Sequence, residues 1–121
     1  MSKTILIVDD SITIRQTLAL TLRSAGYDIE EACDGKDALS KLDGRKYQLI
    51  ISDVNMPVMD GISFAQAVKQ LPAYRFTPVV MLTTVADESK KAAGKAAGVR
   101  AWVTKPFQPP ALLDAVAKLV A

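Results

Sequence analysis

The segment IISDVNMPVMDG, from Ile50 to Gly61, places a carboxylate where an apolar run ends and a loop containing proline and glycine begins. The run ILIV, from Ile5 to Val8, ends in the same way, because Asp9 and Asp10 follow it directly. Short apolar runs of this kind are typical of strands that are buried on both faces of a parallel sheet. The two segments therefore predict two buried strands with acidic side chains at their carboxyl ends.

Five runs of strand length alternate with helical patterns along the chain. The predicted strands are Ile5–Val8, Tyr27–Ala32, Leu49–Ser52, Val79–Leu82 and Ala101–Val103. Apolar residues recur one helical turn apart in the other segments, and Gly26, Pro72 and the pair Pro109–Pro110 mark helix boundaries. This alternation predicts an α/β fold of the doubly wound class, a five-stranded parallel sheet with helices on both faces.

Two of the helices have distinctive sequence features. Asp34 and Asp37 form a possible capping pair at the start of the second helix. The segment ESKKAAGKAA, Glu88–Ala97, contains only small apolar residues and an internal glycine. Because it offers little apolar surface to bury, we expect it to be the loosest helix.

The composition excludes several kinds of chemistry and partner. The 121 residues are 50% hydrophobic, which fits one domain over residues 1–121. The net charge is +2 with scattered lysines, so we expect no nucleic-acid or membrane partner. The chain has no histidine, which removes histidine triads and zinc sites built on imidazole. With Cys33 as the lone cysteine and no apolar run of membrane-spanning length, we expect a cytoplasmic protein. We also expect a monomer.

Polar residues follow four of the five predicted strands. In a doubly wound sheet, ligands bind outside the carboxyl ends of the strands, where the strand order reverses. We therefore expect one site built from Asp9, Asp10, Asp53, Thr83 and Lys105. The second strand, which ends at Cys33, is expected to lie at the sheet edge and to contribute nothing.

The residue types at this edge suit a metal ion and a phosphoryl group. Three crowded carboxylates repel one another unless a cation binds them, and oxygen ligands suit Mg²⁺ or Mn²⁺. Thr83 offers a hydroxyl donor and Lys105 a compact positive charge for phosphoryl oxygens. We predict that Asp53 is a nucleophile that forms an acyl phosphate, while Asp9 and Asp10 hold the metal.

Each residue also has a structural explanation when it is taken alone. Asp10 or Ser11 could cap the first helix, and Asp53 could form only an Asx-turn before Met56. Thr83 is a common strand residue, and a lysine before proline is ordinary on a surface. Their joint placement at one edge of the sheet favours the functional interpretation.

Four segments, DD, SDVNMPVMDG, MLTT and WVTKPF, resemble the receiver domain of bacterial response regulators over essentially the whole chain. The strongest resemblance is to stand-alone chemotaxis regulators of the CheY type. It implies a flavodoxin-like fold with strand order 2-1-3-4-5 and phosphorylation of Asp53 by a histidine kinase. It also implies a Mg²⁺ site formed by Asp9, Asp10, Asp53 and the backbone carbonyl of Asn55.

The same resemblance implies a switch rather than an enzyme, with self-phosphorylation from small phosphodonors and self-dephosphorylation. Thr83 would move its hydroxyl to the phosphoryl group, Lys105 would pair with that group, and the Lys105–Pro106 bond would be cis. An aromatic ring at position 102, usually tyrosine or phenylalanine and here Trp102, would turn inward. A target such as a flagellar motor switch component would then bind the surface of helix four, strand five and helix five. Residues near that surface are Lys90, Lys91, Val99 and Lys118.

Three other functions fit the sequence less well. Phosphatases of the haloacid-dehalogenase type place a second aspartate two residues after the nucleophile, whereas this chain has Asn55, which cannot serve as that general acid. In a flavodoxin that binds flavin mononucleotide, Asp9 and Asp10 would repel the cofactor phosphate. The sequence ends eleven residues after Pro110, so we expect no DNA-binding output domain on this chain.

Overall fold

The computed structural model describes residues 3–84 and 90–120. Within these residues, five strands alternate with five helices. The elements are β1 Thr4–Val8, α1 Ile12–Ser24, β2 Asp28–Ala32, α2 Gly35–Lys41, β3 Leu49–Asp53, α3 Gly61–Gln70, β4 Val79–Thr83, α4 Lys91–Ala96, β5 Val99–Thr104 and α5 Pro109–Val120. All the strand pairs are parallel, in the order β2-β1-β3-β4-β5. The predicted α/β class and strand order are confirmed.

The apolar runs are continuous because the sheet has a hydrophobic core on each face. Along β1, Leu6 and Val8 pack with residues of α2 and α3, whereas Ile5 and Ile7 pack with residues of α1 and α5. Successive side chains of a strand point to opposite faces, so a strand covered on both faces needs apolar residues at every position. This is the physical origin of the pattern that predicted the strands.

The strand bounds differ from the prediction by one or two residues. β2 begins at Asp28 rather than Tyr27, and β3 and β4 each extend by one polar residue, Asp53 and Thr83. β5 spans Val99–Thr104, and its register against β4 shifts between Val79 and Val80. Asp53 and Thr83 do not belong to the apolar runs of the sequence, but their backbones continue the pairing between neighbouring strands.

Side-chain caps set the starts of three helices. Ser11 is the N-cap of α1, where the N–H of Ile14 donates to its hydroxyl oxygen at 3.3 Å. Of the two capping candidates for this helix, Ser11 is therefore the one that the structure uses, and not Asp10. Asp34 caps α2 as predicted, by accepting from the N–H of Asp37 at 2.7 Å. Asp60 caps α3 in the same way.

The described part of the fourth helix is short. α4 has 6 residues, Lys91–Ala96, and its N-cap residue Lys90 makes no side-chain capping hydrogen bond. Glu88 and Ser89, where the prediction placed the helix start, lie outside the described residues. In the portion of the chain that the structure describes, none of the helices combines the length and apolarity needed to span a membrane.

Candidate functional site

The acidic residues meet at the carboxyl end of the sheet. Asp9 follows β1, Asp53 ends β3, and these strands are neighbours at the point where the strand order reverses. Carboxylate oxygens of Asp9, Asp10 and Asp53 lie within 4.8 Å of one another. Asp9 and Asp53 are buried, whereas Asp10 is exposed. The structure thus brings together the three carboxylates that the sequence predicted.

Lys105 follows β5, two strands away from β3, and its side chain reaches this cluster. Its Nζ lies 3.2 Å from Asp9 Oδ2 and 3.1 Å from Asp53 Oδ1. Its backbone N–H donates to the carbonyl of Thr83 at 2.7 Å, and the Lys105–Pro106 peptide bond is cis. The backbone of Lys105 is therefore held at the ends of β4 and β5, and its ammonium group bridges the two buried carboxylates.

The electrostatics of the cluster disfavour the charged form of Asp53. Burial raises the pKa of the Asp53 carboxyl, and the nearby Asp9 carboxylate raises it further. Lys105 and the backbone N–H of Asn55 act in the opposite direction, but they do not cancel the effect. Burial also lowers the pKa of Lys105, but the carboxylates of Asp53 and Asp9 outweigh it, so the net shift is upward. The site therefore favours any further positive charge placed beside Asp53.

The donor set fits a hard divalent cation. Three carboxylates within this distance supply only oxygen atoms, which are the ligands of Mg²⁺ and Mn²⁺. The N–H of Asn55 donates to the Asp53 carboxylate, so the Asx-turn interpretation of Asp53 is compatible with its place in the cluster. The role of the Asn55 carbonyl as a metal ligand stays a prediction.

Thr83 and Trp102 lie on the same part of the sheet. Thr83 is buried at the end of β4, and its hydroxyl donates to the carbonyl of Thr84 at 3.1 Å. Trp102 lies on β5 opposite Met81, is partly buried, and packs against the core cluster of α2 and α3. Their roles as switch residues stay predictions.

Three contacts beside the site, made by Arg15 and Lys90, were missed by sequence reasoning. Arg15 of α1 donates from Nη1 to the carbonyl of Asp9 at 2.6 Å, and its Nε lies 3.4 Å from Glu31 Oε1 on β2. Lys90 donates from Nζ to Asn55 Oδ1 at 2.7 Å. The second strand, expected to contribute nothing, thus supports the acidic cluster indirectly through Glu31. No sequence signal distinguishes these residues from ordinary surface charges.

The comparison with known families agrees with this geometry. The family model described as the response regulator receiver domain matches residues 5–117. The chain belongs to this family. Receiver domains accept phosphate from histidine kinases of two-component systems, bind Mg²⁺ at their acidic site, and act as switches rather than as ordinary enzymes. The phosphatase alternative is therefore not supported.

Two of the proteins that this receiver domain resembles carry names that refer to chemotaxis or gliding motility. A structure of the chemotaxis protein CheY4 of Vibrio cholerae is 47% identical, with a TM-score of 0.93, and the match covers 98% of this chain and 99% of that one. Protein PilG of Pseudomonas aeruginosa is 37% identical over 112 residues, which are 93% of this chain and 83% of PilG. The gliding motility regulatory protein of Myxococcus xanthus is 39% identical over 101 residues. That match covers 84% of this chain but 13% of the much longer relative.

Proposed function

We propose that residues 1–121 form a single-domain, cytoplasmic and monomeric response regulator of chemotaxis, in which Asp53 accepts the phosphoryl group. The likeness to a Vibrio cholerae chemotaxis protein over 98% of this chain supports the assignment to chemotaxis. The observation that carries the proposal is the position of Asp53, which lies beside the buried Asp9 carboxylate and pairs with the ammonium group of Lys105. This position suits a carboxylate that gains a phosphoryl group, because the neighbouring groups can interact with the added negative charge.

The contacts and the burial of Asp9 favour Asp53 as the acceptor. Asp9 accepts from the N–H of Ser11 through Oδ1 at 2.9 Å and from Lys105 through Oδ2 at 3.2 Å. Its side chain is 1% exposed, whereas that of Asp53 is 10% exposed. Asp9 is therefore the more deeply buried of the two carboxylates, and Asp53 is the one that a phosphodonor can approach.

In the proposed reaction, an Asp53 oxygen attacks the phosphorus of a phosphohistidine on the kinase. A new oxygen–phosphorus bond forms while the nitrogen–phosphorus bond breaks, and the imidazole leaves with the electron pair. Mg²⁺, or Mn²⁺, held by Asp9, Asp10, Asp53 and the Asn55 carbonyl would neutralise charge on the transferring group. Lys105 would then pair with a phosphoryl oxygen instead of with both carboxylates. Small phosphodonors would react in the same way, and attack of water on the acyl phosphate would reset the switch.

The proposed output runs through Thr83 and Trp102. The Thr83 hydroxyl would exchange the carbonyl of Thr84 for a phosphoryl oxygen, and the indole of Trp102 would respond to the space that this movement leaves. A groove of about 310 Å³ between β5 and α5 is lined by Trp102, Pro106, Ala111 and Ala115, among others. A downstream protein, such as a flagellar motor switch component, would bind this surface of α4, β5 and α5 and prefer its phosphorylated form.

The proposal is tested by incubating the protein with Mg²⁺ and acetyl phosphate and separating the products on a phosphate-affinity gel. Asp53→Asn is expected to abolish the shifted band, because the remaining carboxylates are committed to the metal and to Lys105. Asp60→Asn is the matched control, since it changes an aspartate of the same loop and asparagine caps α3 equally well. A shifted band that persists in Asp53→Asn would show that the acceptor is another residue.

One further variant and one deletion strain test other parts of the proposal. Lys105→Ala is expected to leave Mg²⁺ bound. It is expected to weaken the change that the phosphoryl mimic beryllofluoride causes in the surface of α4, β5 and α5, because the lysine contacts the phosphoryl group rather than the metal.

Deletion of the gene in the organism of origin tests the assignment to chemotaxis. A chemotaxis regulator is expected to give loss of directed movement with intact motility. Normal chemotaxis in that strain would assign the domain to another two-component pathway.

A further inference from the structure

The benzene ring of Trp102 lies where almost any side chain at position 94 would have to be. A Cβ atom placed on Gly94 would lie 2.4 Å from both Cη2 and Cζ2 of Trp102, which are far atoms of the indole. It would also lie 3.6 Å from a methyl group of Val99. Real Cβ atoms do not approach other atoms to 2.4 Å. The indole and a side chain at position 94 therefore exclude each other in this arrangement.

The backbone of α4 gives no other reason for this glycine. Gly94 is a buried residue in the middle of a 6-residue helix, and its φ is not in the left-handed region that favours glycine. Glycine is the least favourable residue for a helix interior except proline, whereas alanine is the most favourable. The residues on either side of it, Ala93 and Lys95, are better helix formers. What position 94 gains from glycine is room for the ring.

The same indole also shapes the surface proposed for the downstream protein. Its benzene ring fills the notch at Gly94, and Trp102 is also one of the residues that line the groove between β5 and α5. A ring that left the notch would change the packing of α4 against the strand that borders this groove. One glycine can thus control how two of the three elements of this surface are arranged.

We infer that Gly94 is a positioning residue for Trp102. Because glycine has no Cβ, it leaves a space that the indole occupies, which we call the seat of the indole. The seat couples the position of the ring to the packing of α4. The inference rests on the proposed function only in treating Trp102 as part of the output surface.

The inference predicts a change of sign in a double-mutant cycle. Gly94→Ala in the wild-type background is expected to lower the melting temperature, because the new methyl group displaces the indole. In a Trp102→Ala background the same substitution is expected to raise the melting temperature, because the methyl group has room and alanine stabilises the helix. Ala92→Gly, at an exposed position of the same helix, is the matched control and is expected to lower the melting temperature in both backgrounds.

Fluorescence of the single tryptophan reports the position of the ring directly. In Gly94→Ala, the emission maximum is expected to shift to longer wavelength and quenching by iodide to increase, because the displaced indole meets more water. A Gly94→Ala protein that is more stable than the wild type, or whose indole is as shielded as before, would overturn the inference. If Gly94→Ala does not fold, restoration of folding by Trp102→Phe is the expected result, and no restoration would overturn the inference.

The phosphate-affinity gel separates this inference from the proposed function. The melting and quenching measurements need neither Mg²⁺ nor a phosphodonor, so they test the seat of the indole alone. A change of sign in the cycle with no phosphorylation of the wild type would remove the proposed function and keep the inference. Phosphorylation of Asp53 with no change of sign would keep the proposed function and overturn the inference.

Discussion

Replacing Lys105 with methionine removes the positive charge between Asp9 and Asp53 and keeps an unbranched side chain of similar length. The two carboxylates are buried and the lysine side chain is only 17% exposed, so water cannot fully replace the ammonium group. The variant protein, free of metal, should therefore unfold more easily at neutral pH.

The distances set the size of the effect. At an effective dielectric constant of about 20, unit charges at 3.1 Å and 3.2 Å attract by about 5 kcal/mol each. Part of this attraction is offset by the cost of burying the ammonium, which the variant no longer incurs. Removing one partner of a buried ion pair costs about 3–5 kcal/mol. Because the lysine retains some exposure, we expect a loss of about 3 kcal/mol in the free energy of unfolding.

The loss should depend on pH in a defined direction. The pKa of Asp53 is already raised by burial and by Asp9, and removal of Lys105 takes away an interaction that lowers it. A carboxyl whose pKa is higher in the folded than in the unfolded state stabilises the fold when protonated and loses that contribution as the pH rises. The deficit of Lys105→Met should therefore narrow as the pH falls from neutral toward about 4, the ordinary pKa of an aspartate.

Urea denaturation in EDTA at several pH values measures this difference. Lys118→Met is the matched control, because Lys118 pairs with Asp114 across an exposed helical turn and should show no measurable loss. Added Mg²⁺ is expected to stabilise Lys105→Met more than the wild type, since it restores positive charge to the cluster. A variant as stable as the wild type at neutral pH, or a deficit that stays constant with pH, would refute the electrostatic account of the site.

Three other substitutions test separate features. Asp10→Asn should stabilise the metal-free protein by about 1 kcal/mol in urea melts with EDTA, because it removes an exposed charge from the acidic cluster. The same substitution should weaken Mg²⁺ binding measured by calorimetry. A destabilised variant would contradict the repulsion among the three carboxylates on which this prediction rests. Val58→Gly should raise stability by about 1 kcal/mol in thermal melts, because Val58 has φ 72 and is exposed; an equal gain from Val58→Ala would contradict the backbone explanation. Ser11→Ala should cost about 1 kcal/mol through loss of the α1 cap, with Ser11→Asp as the variant that keeps it.

The sheet was predictable because its strands are buried on both faces. Every residue from Ile5 to Val8 has to be apolar, so the sequence shows the strand without any reference to its neighbours. The acidic cluster was predictable for a related reason. Parallel strands bring their carboxyl ends to one edge, so Asp9, Asp53 and Lys105 become neighbours although they are far apart in the chain.

Side-chain contacts between elements were not predictable in the same way. The periodicity of α1 shows which face is apolar, but it does not show that Arg15 reaches the carbonyl of Asp9 and the carboxylate of Glu31. The glycine of α4 was noted only as a weakness of the helix, because its function depends on a ring from β5. Such contacts depend on how helices pack across the sheet, which a one-dimensional pattern does not encode.

Locating the phosphorylated residue is the most direct test of the role of Asp53. The protein is incubated with Mg²⁺ and acetyl phosphate, and the acyl phosphate is then reduced with borohydride, which converts a phosphorylated aspartate to homoserine. Tandem mass spectrometry of the digested protein identifies the converted residue. We predict homoserine at position 53, and its absence in a parallel sample without phosphodonor. Homoserine at position 9 or 10 instead, or no conversion at any aspartate, would contradict the assignment of Asp53.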